Sequence, residues 1–357
     1  MKDAIGNSKA IGNLADNLLL LTMMVILNRR QELPRDRSEL YEQATRVLLH
    51  HWDVDHKSLQ LPIESIGRRE KQAMLRCVAY EMQTSESGLK GNLITADRLA
   101  QVLTGYLREQ GFEAPREKAN GLIEQLRSRN WILCDRGADT YGFVHRTFLE
   151  YFCAMEIVHR FKETRSLSFD QLQNDIFRPH WQDETWHEVL QLICGALEED
   201  FASKILKYLV PRTCSIDEKQ LLFLSSCFAE IRHTYKSNEI SNLLLQEIRK
   251  AVEIKSYILA TSSSGLDSYE YMSNVRFCAD GVSAIAEIWR EHPETFTWIK
   301  RRAVSQTSEV RSSAINSLIV FWKDYDETIE LLRDRALNGP DEQLCEWAIE
   351  KLKTYDV

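Results

Sequence analysis

Nowhere in the 357 residues does the pattern G-x-x-x-x-G-K-[ST] occur, nor an apolar strand that closes on paired acids. The glycines of AIGNSKAIGN have neither the spacing nor the lysine. A chain without that cradle of backbone N–H groups has no tight triphosphate site of its own. Breakers are scarce as well, with 14 glycines and 7 prolines, which points to long helices. Eight cysteines stand at 77, 134, 153, 194, 214, 227, 278 and 345, and no two are spaced Cys-x-x-Cys. Most lie in apolar helical contexts such as LQLICGAL and FLSSCFAE, so they read as small buried hydrophobes of a reducing compartment rather than disulfides or zinc ligands. There is no basic excess: the formal charge is −8, which argues against a general nucleic-acid binder. There is no long greasy run either. LLLLTMMVIL, from Leu18 to Leu27, is ten residues long and contains Thr22, about half of the ~20 needed to cross a bilayer. It predicts a buried helix, and with no signal pattern after Met1 the expectation is a soluble cytoplasmic protein without membrane contact.

What the chain does have is hydrophobic content, 44%, enough for real cores. At roughly one domain per 150 residues the length suggests two or three units. After the buried run and a loop carrying Pro34, SELYEQATRVLLHHW predicts a helix with Ser38 as its N-cap. Its Leu40, Tyr41, Ala44, Val47, Leu48 and Trp52 fall at helical spacing. REKQAMLRCVAYEMQT predicts a helix, NLIT a short strand, and ADRLAQVLTGYLREQ and PREKANGLIEQLRSR two more helices, Pro115 standing in the first turn of the last. WILCD and YGFVHR predict two strands joined at RGADT. Helix, short strand, helix, helix, hairpin is the order of a winged helix. After Phe161 no strand is expected. DETWHEVLQLICGAL, FASKILKYLV, EKQLLFLSSCFAEIRHTY and ISNLLLQEIRKAVEI are successive helices, with SSSG at 262–265 as the best linker.

The last ninety residues contain a repeat. The segment from Trp289 lies over that from Trp322 at an offset of 33, with Arg302 on Arg335 and Ala303 on Ala336. One inserted residue then brings Val310, Ala314 and Leu318 onto Leu344, Ala348 and Leu352. Units of thirty-odd residues, each a helix pair, bury their apolar faces by stacking on neighbours. The tail resembles HEAT repeats. The predicted fold is therefore mainly α: a winged-helix domain with a small β-hairpin, followed by a helical array ending in HEAT-like repeats.

Four motifs occur in order: IGNLADNLLLLTMM, LPRDRSELYEQATRVLLHHWD, YGFVHRTFLEYFCA and WQDETWHEVLQLICG. Together they resemble the C-terminal half of NACHT-type STAND NTPases, bacterial members linked to defence against phage fitting best, over residues 11 to about 197. The resemblance implies residues 1–57 as the end of the family's helical domain and 58–160 as the winged helix, followed by a helical linker over 161–262 and the repeats over 263–357. In such proteins the winged helix closes over ADP held by an N-terminal nucleotide-binding domain. The resemblance thus implies ADP or ATP only together with that missing domain, and no cofactor or catalysis for this chain alone. The chain is accordingly expected to be a piece, or a degenerate partner, of a longer NTPase. It also implies an oligomer with the full-length NTPase, and a protein trigger received by the C-terminal repeats. The family's Asn-Pro near the adenine is replaced here by Asn17-Leu18.

His145 sits at the seam between the last strand and the next helix, in the place of the family histidine that reaches the β-phosphate of ADP. A ring N–H on a phosphate oxygen is charge-assisted and contributes roughly 1.5–3 kcal/mol. The plainer reading is a strand-ending histidine that bonds a backbone carbonyl. Phe143, Phe148, Leu149, Tyr151 and Phe152 are expected in the core, and Glu150 is expected to pair with an arginine. HHWDVDH at 50–56 is a poor metal site, because His50 and His51 are adjacent on a helix and diverge by about 100°. Two other readings compete with the switch: a stand-alone helical-repeat scaffold, and a winged-helix regulator that binds DNA through PREKANGLIEQLRSR.

Overall fold

A computed structural model of the chain describes residues 18–28, 37–58, 66–85, 92–128, 132–210, 217–231, 239–261, 267–339 and 342–353. The chain divides into two compact units, Met1–Arg212 with Glu230–His233, and Thr213–Ala229 with Thr234–Val357. That division falls within the 161–262 span. SSSG at 262–265 lies outside the described residues.

The first unit opens with α1 (Leu18–Asn28) and α2 (Arg37–Ser58). Met24 and Leu27 of α1 are buried, while Val25 is exposed. Helix α2 begins at Arg37, so Ser38 is a first-turn residue and not the N-cap expected of it. Arg37, in the same first turn, is buried and pairs with Glu188 and Glu230, the latter at 2.8 Å. Leu40, Tyr41, Ala44 and Leu48 are buried as their spacing requires.

The winged helix follows in the expected order: α3 (Arg68–Thr84), β1 (Ile94–Thr95), α4 (Ala96–Glu109), α5 (Pro115–Ser128), β2 (Leu133–Gly137), β3 (Thr140–Phe143) and α6 (Arg146–Lys162). The three strands run antiparallel in the order β1-β3-β2, with Ile94 opposite Tyr141 and Leu133 opposite Phe143. The turn of the wing uses positive φ at Gly137, Ala138 and Asp139. Thr95 caps α4 by accepting from the Arg98 N–H. Helix α6 is the axis of the domain, with α3 and α2 packed on it. Its Phe148, Phe152, Cys153, Ala154 and Ile157 are buried, and Tyr41 of α2 stacks on Tyr151 with centroids 5.2 Å apart.

Beyond α6 a helical stretch runs through Phe169–Gln171, a π turn at Leu172–Phe177, and Arg178–His180. Pro179 offers no N–H, and widening the preceding turn to π spacing accommodates the missing bond. Helices α7 (Glu184–Ala196) and α8 (Glu199–Leu209) complete the unit, α7 packing on α6.

The second unit is helical throughout its described residues: α9 (Glu218–Ala229), α10 (Glu239–Thr261), α11 (Ser268–Ile288), α12 (Thr295–Arg302), α13 (Ser308–Phe321), α14 (Asp326–Asn338) and α15 (Glu342–Lys353). The internal repeat is visible as repeated geometry. Trp289 and Trp322 are both buried and both close the helix before them, through Trp289 N–H to Ile285 O and Trp322 N–H to Leu318 O. Thr295 and Thr328 are buried in register, as are Ile299 with Leu332 and Ala314 with Ala348. Trp298 of α12 donates to Glu253 of α10 at 2.9 Å, and the Arg302 guanidinium lies 4.9 Å from the centre of its ring.

Candidate functional site

The strand–helix seam is built from both sides. Strand β3 ends at Phe143, three residues short of the run read from the sequence. Val144 still donates to Ile132 O at 2.8 Å. The freed carbonyls are then taken by side chains. Arg136 donates to the Phe143 and Val144 oxygens, and Asn92 clasps Phe143 by both its N–H and its C=O. Phe143 on one side and Phe148 on the other are fully buried, so the chain between them has little freedom.

His145 is held in that interval as the N-cap of α6, with φ −142° and ψ 145°. Its Nδ1 accepts from the Thr147 N–H at 3.3 Å and lies 3.1 Å from Thr147 Oγ1. Its carbonyl accepts from Phe148 N–H at 3.1 Å. This is not the plainer arrangement anticipated: among the described residues the ring bonds no backbone carbonyl, and it caps its own helix. The ring is exposed, and no described residue bonds Nε2. Partial burial alone lowers its pKa from the usual histidine value. An amide N–H can only donate, so Nδ1 presents its lone pair and the neutral ring carries its proton on Nε2, pointing away from the cap.

The neighbours are ionic but paired. Arg146 donates from Nε to Glu150 at 2.7 Å, the arginine pairing expected for Glu150, and from Nη2 to the Thr185 carbonyl of α7 at 3.3 Å. Burial raises the Glu150 carboxyl, and Arg146 opposes the shift. Gln83 of α3 donates to the same Thr185 oxygen at 3.0 Å, so α3, α6 and α7 meet beside the seam. Three features suit an anion here: an outward ring N–H, the positive end of a seventeen-residue helix, and a nearby carboxylate already engaged by arginine.

Asn17 lies outside the described residues. Leu18 opens α1, and its side chain lies outside them too. The side chains of HHWDVDH are likewise outside; among the described residues no group of three or more His, Cys, Asp or Glu could hold a metal. The described cysteines are free thiols, and burial pushes Cys77 up to about 12. On α5 the exposed Arg116 is matched by exposed Glu117 and Glu124. No described helix is long and apolar enough to cross a membrane.

Two participants escaped the reading of the sequence. Thr147, which binds the histidine ring twice, could have been found as a hydroxyl two residues past a cap. Arg37 could not, because Glu188 and Glu230 are distant in sequence and ion pairs have no periodicity.

No curated protein and no solved structure matches the chain. Residues 37–157 match the family model described as the winged helix-turn-helix domain C-terminal to NACHT. The match begins with α2, which packs Tyr41 on Phe148 and Tyr151, and ends within α6. Three antiparallel strands, the helix order and this match agree: residues 37–157 are a winged helix-turn-helix domain of the family found C-terminal to NACHT.

Proposed function

We propose that the chain is the regulatory half of a NACHT NTPase of the STAND type, and that His145 holds the ADP-bound, inactive state of the complete protein. The observation that carries this reading is the His145 ring: exposed, fixed at Nδ1, and donor-ready at Nε2. A diphosphate supplied with the nucleotide-binding domain would accept from that N–H, beside the N-terminus of α6. The contact holds the winged helix closed while the diphosphate stays, and nucleotide exchange or a trigger releases it.

The same proposal gives the C-terminal helix pairs the role of HEAT-like repeats that receive a protein trigger, after which the cytoplasmic protein oligomerises in antiphage defence or related signalling. The repeated burial of Trp289 with Trp322 and of Thr295 with Thr328 supports a stacked array. The test is His145→Ala in a protein carrying both this region and its NACHT module. Loss of a charge-assisted bond of about 1.5–3 kcal/mol should speed ADP release about ten- to a hundredfold. Release at the wild-type rate would reject the role given to His145.

A further inference from the structure

We propose that Thr147 is a positioning residue, which holds Nδ1 of His145 as an acceptor and thereby keeps the ring in its Nε2-protonated form. The use of that proton for a phosphate rests on the function proposed above; the state of the ring is a property of this chain by itself.

The geometry is specific. Two groups of one residue converge on one nitrogen, the Thr147 N–H at 3.3 Å and its Oγ1 at 3.1 Å. The amide can only donate. With Nδ1 thus committed as an acceptor, the hydroxyl can bond it only by donating too. If the proton moves to Nδ1 the amide contact is lost, and the cap of α6 with it, and the hydroxyl would have to turn from donor to acceptor. Backbone rotation is closed off as well, because Phe143 and Phe148 anchor the seam on either side.

The environment also keeps the hydroxyl at its post. Its other polar neighbour is the fully buried Tyr41 hydroxyl, which lies beside Thr147. Tyr41 itself is fixed by Phe148 and Tyr151, with ring centroids 5.9 and 5.2 Å away. Among the described residues no carboxylate contacts the ring to compete for a ring proton: Glu150, on the next turn, is tied to Arg146 at 2.7 Å. Thr147 is therefore the local determinant of which nitrogen faces outward, although it need never touch a ligand.

The experiment is imidazole ¹⁵N NMR on the full chain above neutral pH, with the His145 signals assigned by their absence in His145→Gln. In the wild type the expected pattern is an unprotonated Nδ1 and a protonated Nε2, without averaging. Thr147→Val removes the closer of the two contacts, and its Nδ1 signal should move toward the averaged position of an exposed histidine. Thr147→Ser should restore the wild-type pattern. If the valine variant fails to fold, Thr147→Ala makes the same deletion. A protonated Nδ1 in the wild type would overturn the proposal. So would unchanged signals in the variant lacking the hydroxyl, or a serine variant that fails to restore them. The readout involves no nucleotide. A tautomer shift with unchanged ADP release in His145→Ala would leave the positioning role standing and remove the phosphate; the reverse result would do the opposite.

Discussion

The two units bury similar kinds of surface by different plans. The winged helix concentrates its aromatic side chains, Tyr41, Phe143, Phe148, Tyr151 and Phe152, around one helix and admits charge among them, with Arg37, Glu150 and Glu156 all buried. Its key contacts join residues far apart in the chain, as from Arg37 to Glu230. The C-terminal unit repeats a modest set of positions, Trp, Thr, an aliphatic and Ala, and draws its contacts largely from neighbouring helices. A plan built around one axis is suited to fixing a single side chain at one seam. A repeated plan distributes stability and presents similar surfaces in series.

The largest test of this contrast is Phe148→Ala. Removing a fully buried aromatic should cost about 3–5 kcal/mol. It should shift the unfolding of the winged-helix unit while the helical array keeps its own transition, as read by chemical denaturation with probes in each unit. Equal shifts in both units would break the contrast. A smaller and sharper test sits inside the repeat. Thr295 accepts from Arg249 Nη2 at 3.3 Å, whereas the Thr328 hydroxyl is buried without a partner among the described residues. Thr295→Val should therefore destabilise, by about 1 kcal/mol, and Thr328→Val should be neutral or stabilising. Equivalent positions would then differ in sign, and the same sign at both would show that the repeat is energetically uniform.

The smallest expected effect is on pH. Burial is the main cause lowering the pKa of His145, His159 and His180. Each has a native value below its unfolded one, so as pH falls below about 6.5 the unfolded chain binds more protons than the native chain. Stability should decline from there down through the lowered native values. Glu150, raised by burial, takes its proton first in the native state and opposes the trend only nearer the carboxylate range. Denaturation midpoints between pH 7.5 and 5 check the sign, and a midpoint that rises on acidification would contradict it.

Much of the architecture was legible because it is periodic. Helices α3, α4 and α5, the wing and its turn follow from apolar spacing and from Gly137 and Asp139. The offset of 33 reappears as matched burial at Trp289 and Trp322. The place of His145 at the start of a helix was legible too, but its bonding was not. The ring turns back to cap α6 through Thr147, a choice set by local hydrogen-bond geometry rather than by pattern. The pairing of Arg37, in the first turn of α2, with Glu188 and Glu230 joins distant segments and leaves no periodic trace. The π turn before Pro179 arises from a bond that proline cannot make, and the hydrophobic pattern around it gives no sign of that.

Gly142 ties the wing to all of this. A methyl group built there would stand 2.3 Å from the Asn92 carbonyl oxygen, closer than any real contact. Asn92 is also the residue that clasps Phe143, three positions before the Arg146 N–H that opens α6. Even alanine on that strand would have to lever the clasp outward, and the disturbance would travel along the chain to the imidazole. A hydrogen atom on the wing thus sets the aim of a ring it never meets.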